Sequence, residues 1–112
     1  MRLLNLAALA ALLIAPLQAA ADEAGNPSRG QNYARAHCAE CHGVETAKDD
    51  FSPNVDAPDF AVVANTPGMT ERAVVVWLQT PHPSMPNFMI EAGDRDDLAA
   101  YIMSLKKPDT TP

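Results

Sequence analysis

Cys38 and Cys41 are the only cysteines in the chain, they are separated by two residues, and His42 follows directly. Two thiols at that spacing can form a redox pair, supply half of a zinc site, or add across the two vinyl groups of a porphyrin. A thioredoxin-like pair asks for a preceding strand in a βαβ setting, which residues 31–37 do not suggest. A structural zinc site needs four ligands, and the other histidines, His37 and His82, form no second ligand pair. Cys38-Ala39-Glu40-Cys41-His42 is instead the signature of covalent c-type haem attachment. The two-residue spacer lets one turn of chain reach both vinyl groups, and the adjacent imidazole arrives beneath the iron as the proximal ligand.

An iron held by His42 has one axial position left, and its occupant decides between electron transfer and ligand chemistry. The candidates are Met69, Met85, Met89, Met103 and His82. Met85 stands in a proline-studded loop and is followed by Pro86. Met89 lies four residues on, without a following proline. Met103 falls on an apolar helix face, where a methionine serves as flexible core filler. Met69 precedes a helix cap, and His82, between Pro81 and Pro83, reads as a turn histidine.

The elements that must position these groups are helices. Asn26 or Ser28 can cap a helix that begins near Asn26-Pro27-Ser28, takes Pro27 in its first turn and runs into the cysteine pair. Residues 43–69 hold Pro53, Pro58 and Pro67 with little periodicity apart from a short turn at Phe60 to Ala64, and a loop of that length needs a function. Thr70 can cap a helix from Glu71 to about Thr80, in which Ala73, Val74, Trp77 and Leu78 share one face. The last helix has Asp94 as its expected N-cap and Asp96 and Asp97 at its positive start. Leu98, Tyr101, Ile102 and Leu105 follow at helical spacing, with Lys106 and Lys107 at the negative end before Pro108. The expected fold is all-α, three to four helices around one haem.

The whole chain has 112 residues and a formal charge of −6. Leu3 to Ala15 is an apolar run behind Met1 and Arg2, followed by Pro16 and the small residues Ala19-Ala20-Ala21. That run is shorter than the ~20 residues a bilayer span needs, so residues 1–21 are expected to be a cleaved secretory signal and residues 22–112 the functional domain. Arg2 is the one charged residue in that segment, so the remainder carries −7, a charge that disfavours nucleic acid as a partner. With both cysteines engaged at one site there is no disulfide framework, and a small exported domain then depends on a cofactor to supplement its core.

Six segments, in order, resemble the class I c-type cytochromes: Gly30 to Tyr33, the haem motif, Ala57 to Phe60, Trp77 to Pro81, Met85-Pro86 and Leu98 to Ile102. The resemblance spans about Gly30 to Lys106. It implies a single covalent haem c with its iron held by His42 and Met85. It also implies that the Pro58 carbonyl, with Pro53 in reserve, accepts a hydrogen bond from the His42 ring. Phe60, Trp77 and Leu78 would line the haem, and Gly30 would let the first helix cross closely against Tyr101 of the last. The implied function is a periplasmic, monomeric one-electron carrier between redox protein partners, neither an enzyme nor stably inserted in a membrane. The alternatives are a haem subunit docked in a dehydrogenase or oxidase complex, and an open-site haem protein that binds small ligands.

Overall fold

A computed structural model describes residues 24–46 and 49–110; the expected signal segment, residues 1–21, lies outside the described residues. Helix α1 spans Pro27–His37, α2 Phe60–Ala64, α3 Glu71–Gln79 and α4 Ala92–Ser104. No strand occurs among the described residues, so the fold is all-α.

Asn26 caps α1 as its side chain accepts from the amides of Ser28 at 2.9 Å and Arg29 at 3.1 Å. Pro27 occupies the first turn, where its missing N–H costs nothing. Thr70 caps α3 by accepting from the Ala73 amide at 3.1 Å. Helix α4 departs from expectation at both ends. Its N-cap is Glu91, which makes no side-chain capping bond, so Asp94 falls inside the first turn. It also ends at Ser104, which leaves Lys106 and Lys107 beyond the helix.

Asp97 has a different role from a helix-start charge. It is 5% exposed, accepts from the Asn26 amide at 2.6 Å, and takes Arg29 in a two-pronged ion pair at 2.6 and 3.0 Å. Planar guanidinium and carboxylate groups favour that geometry, and the pair ties the start of α1 onto α4. At the same crossing a Cβ on Gly30 would lie 2.0 Å from the Asp97 carbonyl oxygen and 2.8 Å from the Tyr101 Cβ. Only a residue without a side chain permits that approach.

The core gathers Ala34 of α1, Val44, Phe60 and Ala64 of α2, Val74 of α3, and Leu98, Ala99, Tyr101 and Ile102 of α4. Leu98 is the largest fully buried side chain. The Tyr101 hydroxyl donates to the Val44 carbonyl, which fixes the chain just past the cysteine pair against the last helix. α4 thus serves as the floor on which the other three helices rest.

Candidate functional site

The chain turns sharply where α1 ends. The amides of Cys41 and His42 both donate to the Cys38 carbonyl, at 3.1 and 2.9 Å, which brings both cysteines and the histidine to the mouth of one cleft. Neither thiol is in a disulfide. Burial pushes the Cys38 thiol up to about 11, opposite to the lowered value that activates a redox-catalytic Cys-x-x-Cys. Among the described residues no group of three or more His, Cys, Asp or Glu is arranged around a metal position, so the zinc alternative finds no ligand set.

His42 Nδ1 donates to the Pro58 carbonyl oxygen at 2.7 Å. This fixes the tautomer, because a carbonyl only accepts, and leaves the Nε2 lone pair available for a metal. The His42 ring also lies against Phe60, with centroids 5.1 Å apart. Pro58 is thus in place to orient the imidazole, whereas Pro53 does not line the cleft.

The cleft has a volume of about 430 Å³. Its walls are mainly apolar and include Phe60, Val63, Met69, Val74, Trp77, Leu78, Leu98 and Ile102, with Met85 among them. Trp77 is 56% exposed although it sits on the apolar face of α3, because it borders the cleft while Val74 of the same face packs into the core. Of the methionines weighed as axial ligands, Met85 and Met69 line the cleft and are half-buried, whereas Met89 is 89% exposed and stands outside it. Met69 and Met103 pack against the core cluster. His82 lines the same cleft, where its Nδ1 donates to the Thr80 carbonyl at 3.0 Å and its ring meets Trp77 edge-on at 6.0 Å. The His37 and Tyr33 rings, both lining the cleft, meet at a tilt of 39° with centroids 4.4 Å apart.

The donor set suits a covalently attached haem: two free thiols, an imidazole with one nitrogen already committed, a thioether, and an apolar wall with an uncovered tryptophan. Sequence reasoning missed two features of the site. One is the Tyr101 bond to Val44. The other is a set of bonds around Asp59, whose Oδ1 accepts from the Ser52 amide at 2.7 Å and the Ser52 hydroxyl at 2.5 Å. Neither follows from helical periodicity, because one joins a loop carbonyl to a side chain of the last helix and the other joins two residues of one irregular loop.

A helical fold closed around one apolar cleft, with the Cys-x-x-Cys-His turn at its mouth, defines a class I c-type cytochrome. Residues 25–102 match the family described as cytochrome c oxidase, cbb3-type, subunit III, and the chain belongs to this family of c-type cytochromes. It is 36% identical over 83 residues to cytochrome c-552 of Bradyrhizobium diazoefficiens, an overlap covering 74% of this chain and 78% of that protein. No solved structure matches it. The protein is therefore an electron-transfer protein with a covalent haem c and its iron, and it works with redox partners. Among the described residues no helix is long and apolar enough to cross a membrane.

Proposed function

We propose that the chain is an exported, periplasmic one-electron carrier in which Cys38 and Cys41 would hold the haem and His42 and Met85 would ligate its iron. Pro58 orients His42, and Phe60, Trp77 and Leu78 wall the cleft. The reading includes removal of residues 1–21 and a monomeric residue 22–112 domain. The observation that carries it is the 2.7 Å bond from His42 Nδ1 to Pro58, with Met85 lining the cleft that His42 enters.

The haem supplies a one-electron couple between ferrous and ferric iron. Met85 contributes a soft thioether, which favours the ferrous state and raises the potential relative to a harder ligand. Phe60 and Leu78 keep water from the cleft, and a low dielectric disfavours the added positive charge of the oxidised state. Pro58 holds the imidazole in one orientation throughout, so little rearrangement opposes electron exchange. With −7 on residues 22–112, encounter with a basic patch on a redox partner is electrostatically steered and weakens with added salt.

The test is a pair of substitutions in the holoprotein. Met85→Ala should abolish the sulfur-to-iron charge-transfer band of the ferric protein, lower the reduction potential and admit carbon monoxide to the reduced protein. Met89→Leu should change none of these. Loss of the band in Met89→Leu with retention in Met85→Ala would refute the ligand assignment.

The family description favours a second reading, a haem subunit docked in an oxidase complex. Co-purification of the chain with oxidase subunits from native membranes would support it, and recovery of the chain alone would support the free carrier.

A further inference from the structure

The residue after His42 is tied into a closed set of hydrogen bonds that ends on a carboxylate. The Gly43 amide donates to the Ser52 hydroxyl oxygen at 2.9 Å, and that hydroxyl donates to Asp59 Oδ1 at 2.5 Å. The Ser52 amide adds a second bond to the same oxygen at 2.7 Å. The Phe60 amide returns to the Gly43 carbonyl at 2.8 Å, and Pro58, the residue before Asp59, accepts from His42 Nδ1 at 2.7 Å. A Cβ on Gly43 would lie 2.7 Å from both Asp59 Oδ1 and the Asp50 carbonyl oxygen, so the carboxylate sits directly against the backbone beside His42.

The chemistry of this carboxylate differs from that of the two acids held in ion pairs. Asp97 and Glu45 are each paired with a guanidinium, Arg29 and Arg35. Asp59 is half-buried and held by a hydroxyl and an amide, groups that organise its charge without cancelling it. A negative charge held near an iron ligand stabilises the more positive oxidation state, and a carboxylate fixed to the loop that orients the imidazole does so in a constant geometry.

We propose that Asp59 is a positioning residue that holds Pro58 on His42 and, through a charge that no cation among the described residues pairs with, lowers the reduction potential of the protein. The proposal rests on His42 being an axial ligand. The Ser52 hydroxyl disperses part of the Asp59 charge, so the two residues act on the potential in opposite directions.

The test compares the wild-type, Asp59→Asn and Ser52→Ala holoproteins by equilibrium redox titration at low ionic strength. Asp59→Asn keeps an acceptor oxygen for Ser52 and removes the charge; the ratio of reduced to oxidised protein at fixed poise should rise about three- to tenfold. Ser52→Ala removes the dispersing hydroxyl and should lower that ratio. Simple loosening of the loop would move both variants the same way. Shifts of the same sign, or no shift, with the sulfur-to-iron band intact in both variants would overturn the proposal and leave the ligand reading standing. Absence of paramagnetically shifted His42 imidazole resonances from the wild-type ferric protein would instead overturn the ligand reading.

Discussion

Replacing Gly30 by alanine probes the contact on which the fold depends. In a free helix the change would be favourable, since alanine exceeds glycine by about 1 kcal/mol in helix propensity. Here the new methyl carbon would stand 2.0 Å from the Asp97 carbonyl oxygen, 2.5 Å from its carbonyl carbon and 2.8 Å from the Tyr101 Cβ. Two of those atoms are backbone and cannot swing aside, so α1 and α4 must separate. Overpacking costs typically reach ~1–3 kcal/mol, and rigid partners place this site at the upper end, for a net loss of about 2 kcal/mol after the propensity gain. That is on the order of thirtyfold in the ratio of folded to unfolded protein. With a denaturant slope of about 3 kcal/mol/M, the guanidinium midpoint of the holoprotein should fall by about 0.7 M when followed by far-ultraviolet circular dichroism. Gly93→Ala is the control. It lies in α4 with nothing within 4 Å of the methyl carbon that the substitution adds, so it should stabilise by ~0.5–1 kcal/mol. A Gly30→Ala midpoint at or above wild type would refute the close-crossing argument.

Tyr101→Phe removes the donor to the Val44 carbonyl, and both residues are buried, so stability should drop by ~1–3 kcal/mol in denaturant titration while the haem spectrum is unchanged; an unaltered midpoint would contradict this. The Arg29 guanidinium, then the Asn26 amide, hold the Asp97 carboxyl below the usual carboxylate range. Its contribution is therefore complete above the unfolded value of about 3.9 and is lost as pH falls toward the lower folded value. Asp97→Asn should flatten the stability profile below about pH 4, and an acid limb as steep as wild type would count against the pairing.

The parts of the molecule that obey local rules can be read from the residues. The caps at Asn26 and Thr70, the apolar face of α3 and the turn at Phe60 to Ala64 all follow from short-range chemistry, and each is where periodicity puts it. The start of α4 is not legible in the same way, because a carboxylate near a helix start looks the same whether it caps amides or reaches another helix. Asp97 does the latter, and nothing within α4 itself signals the Arg29 that receives it. Trp77 is a related case. Its spacing marks an apolar face, while its 56% exposure depends on a cleft that only the assembled fold defines. The neighbouring proline favours Met85 over Met89 in sequence, and the fold adds an independent reason, since Met89 stands outside the cleft that Met85 lines.

Met85 and His42 are proposed to ligate the iron together, which would make the protein a carrier. The absorption spectrum of the wild-type ferric holoprotein, followed by addition of carbon monoxide to the reduced form, tests it most directly. A low-spin spectrum with a sulfur-to-iron charge-transfer band and little carbon monoxide binding are expected. A spectrum without that band, with rapid carbon monoxide binding, would contradict that ligation and identify an open-site, ligand-binding haem protein.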